Sequence, residues 1–143
     1  MYLNKKAEEF QAYLAERQIT CYKVDEIADD ELNTVVFRSR IEVAGQSLPL
    51  IIILDSTLYG IIRVKIADKV LTEQNKVSLF GYINGLNRKY KVFKYYFVED
   101  GSIFLDSQLM SSRAEGEKIY LVLELLLKQL NKEYSGIMKS IWS

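Results

Sequence analysis

The stretch that decides the fold runs from Asn84 to Gln108, NGLNRKYKVFKYYFVEDGSIFLDSQ. It reads as a helix ending in Leu86-Asn87-Arg88, an aromatic strand over about Lys91 to Val98, a turn at Asp100-Gly101, and a second strand over Ser102 to Asp106. Glycine takes the positive φ that tight hairpin turns require, and both flanking runs are rich in β-branched and aromatic residues. Helix, strand, turn and strand are therefore expected in that order. No recognisable reaction chemistry accompanies them.

Working upstream, Thr72 is a candidate helix N-cap with Glu73 just inside it, followed by an apolar stripe of Leu79, Tyr82, Ile83 and Leu86. Gly81 and Gly85 weaken that helix by up to about 1 kcal/mol each relative to alanine. From Thr34 to Val43, Val35, Phe37, Ile41 and Val43 alternate with Arg38, Arg40 and Glu42, so one face is buried and one wet. After the turn Ala44 to Ser47, Leu48 to Leu54 is apolar throughout, which suits a strand inside the sheet with both faces covered or half-covered. Ile62, Val64 and Ile66 then alternate with Arg63 and Lys65, completing an antiparallel meander. Nearer the start, Leu3, Ala7, Phe10 and Leu14 mark an amphipathic helix to about Gln18, with Lys5, Lys6, Glu8, Glu9 and Glu16 mostly on its wet side. Thr20 to Val24 is a short strand or linker, and Asp25 to Asn33 an acidic turn region.

Downstream, Ser112 and Glu115 have capping-box spacing and open a final helix over about Arg113 to Lys139, some 40 Å long if continuous. Gly136 is its natural break. The expected architecture is one domain, 1–143, of class α+β: an antiparallel sheet of about five strands with helices mainly on one face, in the order α-β-β-β-α-β-β-α.

This order, the helix end Leu86-Asn87-Arg88, the aromatic strand and the Asp-Gly hairpin together resemble the YbjN-like family of bacterial proteins, which share the fold of the type III secretion chaperones. The resemblance implies a non-enzymatic, regulatory or chaperone-like protein with no catalytic residues to transfer. Secretion chaperones are acidic, whereas this chain balances 19 Lys and Arg against 19 Asp and Glu, so the implication is the shared fold.

Composition narrows the chemistry further. With no histidine there is no Ser-His-Asp or Cys-His nucleophile system and no His-ligated zinc. Cys21, the one cysteine, is expected as a small structural thiol. Phosphate-binding glycine loops and calcium loops have no match here. Asp100 is explained by turn geometry and Asp106 by its strand end, so with Glu99 they carry no metal or acid–base site. No enzyme activity and no cofactor are expected. The N-terminus lacks the apolar core of a signal peptide and the longest apolar run, Leu48 to Leu54, is too short to span a bilayer, so a cytoplasmic protein is expected.

Two surfaces remain as binding candidates. In Arg88 to Tyr96 bases interleave with aromatics, which suits RNA or single-stranded nucleic acid as the alternative function. One face of that strand would carry Tyr90, Val92, Lys94, Tyr96 and Val98, the other Lys91, Phe93, Tyr95 and Phe97. Its plain reading is a central strand with core on one side. On the last helix, Tyr120, Leu127, Tyr134 and Met138 widen the apolar arc beyond what one sheet requires, which points to a partner protein or a homodimer. Candidate partner contacts are therefore Lys91, Phe93, Tyr95, Tyr120, Leu127, Tyr134 and Met138.

Overall fold

The computed structural model describes residues 4–110 and 112–143. Among them nine elements follow as α1 (Lys5–Glu16), β1 (Lys23–Glu26), β2 (Val35–Val43), β3 (Gln46–Leu54), β4 (Tyr59–Ala67), α2 (Lys76–Lys89), β5 (Phe93–Phe97), β6 (Ile103–Met110) and α3 (Gly116–Trp142). Six strands make one antiparallel sheet in the order β1-β2-β3-β4-β6-β5. The expected α+β class and element order hold, with six strands instead of about five. The added strand is β1, which overlaps the short strand or linker expected over Thr20 to Val24 but runs on to Glu26, and whose sequence Lys-Val-Asp-Glu carries almost no apolar signal of its own. It is held by its ladder to β2 and by Arg38, whose Nε donates to Asp25 at 2.7 Å. Charge on an exposed edge also discourages stray pairing.

Alternation along β2, β3 and β4 sends Phe37, Ile52 and Ile62 to one side in register, and the helices cover that side. Phe10 of α1 meets Phe37 edge-on at 4.9 Å between ring centroids. Leu79, Ile83 and Leu86 of α2 and Leu123, Leu126 and Leu130 of α3 complete the same core. Leu3, expected in the α1 stripe, lies outside the described residues. Lys6, expected on the wet side of α1, is buried.

Turn geometry agrees with the sequence where glycine decides it. At the hairpin, Gly101 has φ +85°, its N–H donates to Val98 O at 2.9 Å, and Val98 N–H donates to Ser102 O at 3.0 Å. Gly101 O also accepts from Val70 and Leu71, which ties the hairpin to the segment entering α2. In the β2–β3 turn, Ala44 adopts φ +50° beside Gly45 at φ +80°. A β-carbon is disfavoured there, and asparagine tolerates that region far better. Ala44→Asn is accordingly expected to raise the unfolding free energy by about 0.5–1 kcal/mol in urea titration.

Helix starts depart from the expected caps. Thr72 and Asn75 cap each other one turn ahead of α2: Thr72 N–H donates to Asn75 Oδ1 at 2.7 Å and Asn75 N–H to Thr72 Oγ1 at 3.2 Å. The Ser112–Glu115 capping box does not form, because Glu115 itself is the N-cap of α3 and its carboxylate pairs with Lys118. Nor does α3 break at Gly136. A β-carbon there would lie 2.1 Å from the Tyr82 hydroxyl, so that glycine admits a tyrosine of α2; Gly116 admits the Tyr13 ring of α1 in the same way.

Candidate functional site

Helices occupy one side of the sheet, and the other side of its strands is the candidate site. Three registered residues, Val36, Ile53 and Ile61, run across β2, β3 and β4 on that face, Val36 buried and the two isoleucines half-buried. One row away the ladder reads Arg38, Ile51, Arg63, Asp106, Lys94. At one end of the apolar row Tyr59 pairs with Met110, and both are largely exposed at 54% and 71%.

Beside the apolar row lies a fixed polar cluster. Arg63 donates from Nε and Nη2 to the two Asp106 oxygens, each at 2.9 Å, the forked geometry that holds guanidinium and carboxylate in one plane. Tyr96 donates its hydroxyl to the same carboxylate at 3.1 Å. Its ring stacks on Phe104 at 5.8 Å, with Lys65 Nζ 5.9 Å from the Phe104 centroid. This cluster pins Arg63 and leaves no carboxylate acting alone. No group of three or more metal-ligating side chains occurs among the described residues.

Compared with known proteins, the chain matches no family model and no curated sequence. Its function is therefore argued from this geometry.

The sequence candidates divide. Phe93 and Tyr95 are core residues, because the β5–β6 register turns Phe93, Tyr95 and Phe97 toward the helices. Tyr95 donates its hydroxyl to Gln129 of α3 at 2.8 Å, and burial pushes its ionisation upward. Neither ring can meet a partner, nor can either stack on a base. The cations around them are also engaged: Lys89 and the Tyr90 hydroxyl both donate to Glu133, while Lys94 donates to the carbonyls of Asn87 and Tyr90 at 2.8 Å each. Lys91 is exposed in the turn before β5. That strand is an edge strand, not the expected central one.

On α3, Tyr120, Leu127, Tyr134 and Met138 are half-buried against the core. Tyr120 donates its hydroxyl to that of Tyr22 at 3.0 Å, and Tyr13 of α1 packs on its ring. The exposed large apolar residues of this helix are Leu121, Leu125 and Trp142. Cys21, expected as a structural thiol, is exposed in the segment between α1 and β1. Among the described residues no helix is long and apolar enough to cross a membrane.

Missed from sequence were the open-face residues Ile51, Ile53, Ile61, Tyr59 and Met110. Their signal was available in the run Leu48 to Leu54: apolar side chains at every position must point both ways from a strand, and here the helices cover only one side.

Several phenols report on this packing. Burial and the neighbouring Asp106 carboxylate push Tyr96 up to about 12, and burial also raises Tyr22 and Tyr95. A raised folded-state value means the stabilisation is complete below the unfolded value near 10 and lost as pH climbs through the folded value. Melting temperature is expected to fall steadily between about pH 10 and 12, with phenolate absorbance of these tyrosines appearing together with unfolding. Their ionisation near pH 10 in a still-folded protein would contradict the packing.

Proposed function

We propose that this chain is a non-enzymatic, chaperone-like binding protein that holds a partner protein on the open face of its sheet. The resemblance to YbjN-like proteins supports that class. What carries the reading is the half-buried pair Ile53-Ile61, flanked by exposed Tyr59 and Met110 on the side away from the described helices; Val36, in the same row, is itself buried. Six strands of up to nine residues give a face of about 24 Å by 30 Å, close to the ~800 Å² per partner of a standard interface.

Charge specifies the partner. The open positions carry Lys23, Arg38, Arg40, Arg63, Lys65 and Lys94; Arg38, Arg63 and Lys65 are ion-paired with Asp25, Asp106 and Asp68, and Lys23, Arg40 and Lys94 remain against Glu42. An acidic segment bearing aliphatic side chains complements that surface. A second copy laid face to face would set cations against cations.

The test is capture from the native cell with the wild-type protein and the Ile51→Lys/Ile53→Lys variant side by side, with and without ribonuclease. The reading expects an acidic protein retained by wild type, lost from the variant, and rebound after separate purification. Equal retention by both proteins, or retained material that ribonuclease removes, would overturn it. Leu121 and Leu125, one turn apart and both about half exposed, favour a second reading, a homodimer through α3. A dimer by light scattering that Leu121→Lys/Leu125→Lys converts to monomer is its expected result; a monomer throughout removes it.

A further inference from the structure

Lys6 is 5% exposed, an unusual position for an ammonium group. Its Nζ donates to Tyr59 O at 2.8 Å, and that is one bond for a group with three donors. Among the described residues no carboxylate lies within ion-pair distance of it. Burial lowers its proton affinity, and Asp55 partly offsets this.

The same side chain lines a cavity of about 200 Å³ at the end of the sheet. Leu54, Leu109, Ile119 and Val122 supply apolar wall, and Gln108, Arg113 and Lys118 supply polar and cationic groups. Gly60 helps keep the wall in place, since a β-carbon there would come within 3.2 Å of Leu54 and 3.3 Å of Ile53 O. Glu115 is the one acidic side chain lining the cavity, and it is paired with Lys118.

The geometry points to a binding site for a small apolar carboxylic acid, its carboxylate held by Lys6 and its hydrocarbon tail along Leu54, Leu109, Ile119 and Val122. Two of the Lys6 donors remain for the carboxylate oxygens, and an anion supplies a direct ion pair that this buried ammonium, influenced by Asp55 only from beyond ion-pair distance, does not have among the described residues. Size sets the tail: an apolar cavity of about 150 Å³ accepts benzene, so about 200 Å³ suits an acid of roughly six to eight carbons. The site reaches the helix side of the sheet through Leu54, Leu109, Ile119 and Val122 and shares only Gln108 and Met110 with the open face, so its ligand is tested apart from any partner protein.

Calorimetric titration with hexanoate, with hexan-1-ol and inorganic phosphate as controls, tests the assignment. Hexanoate is expected to bind with a Kd of about 1 mM or tighter and to raise the melting temperature. The alcohol and phosphate are expected to bind at least about tenfold more weakly. Lys6→Met should lose hexanoate by at least tenfold, and Val122→Trp, which fills the cavity from α3 and keeps the ammonium, should do the same. Should Lys6→Met fail to fold, the Val122 variant and the alcohol comparison still decide. No hexanoate binding at about 10 mM, equal binding of acid and alcohol, or undiminished binding in a folded Lys6→Met or Val122→Trp variant would overturn the site.

Discussion

Replacing Asn87 with alanine is expected to lower the unfolding free energy by roughly 3 kcal/mol, a fall in melting temperature of about 10 °C for a chain of this size. Asn87 sits in the last turn of α2, and its side chain treats β5 as a neighbouring strand would. Nδ2 donates to Tyr95 O at 2.9 Å, and Oδ1 accepts from Tyr95 N–H at 2.8 Å. Both groups lie on the outer edge of β5, where among the described residues no further strand pairs with them. Truncation leaves two backbone groups beside a buried tyrosine without partners, and that desolvation cost makes the effect large. Asn87→Asp should not rescue it, because a carboxylate keeps the acceptor but faces the Tyr95 carbonyl. Asn84→Ala, on an exposed position of the same helix, should change stability by less than about 0.5 kcal/mol. A loss below about 1 kcal/mol at Asn87 would mean that water replaces the clamp.

The second large effect separates the two faces of β3. Ile52 is fully buried beneath the helices, whereas Ile51 and Ile53 beside it point to the open side and are half-buried by their strand neighbours. Ile52→Ala is therefore expected to cost roughly 4 kcal/mol, through lost burial and a cavity that the sheet cannot close. Ile53→Ala should cost only about 1 kcal/mol in the isolated protein, since its surroundings are partly water. Chemical denaturation of both variants checks this. Equal losses would mean that the open face is covered, and the binding proposal would then lose its surface.

Much of the fold was legible because one-sided burial writes alternation directly into a strand. Val35, Phe37 and Val43 face the core as their spacing requires, and Gly101 turns the hairpin as its lack of a β-carbon allows. Helix ends and edges were less legible, because they depend on single tertiary contacts. Gly136 looks like a helix break until Tyr82 is placed over it, and Lys6 looks solvated until Tyr59 O reaches it. The short charged strand β1 has no pattern apart from its partner.

The candidate site was harder still. Sequence put the functional weight on the aromatic segment 88–96 because composition there is conspicuous, yet composition cannot say which face of a strand the helices take. Tyr95 proved to be core, and Asn87, part of the helix end that prompted the family resemblance, proved to be the clamp on its backbone. What is left for binding is an apolar row with cations beside it, visible only once the strands are laid side by side.

The central claim, that the open sheet face receives an acidic, aliphatic partner segment, is tested most directly by selecting a random peptide-display library against the immobilised protein. Acidic sequences carrying aliphatic side chains are expected to be enriched, with binding weakened by salt and reduced by about 100-fold or more in Ile51→Lys/Ile53→Lys. Enrichment of basic sequences, no enrichment above background, or peptides that bind the folded double variant as well as the wild type would contradict it.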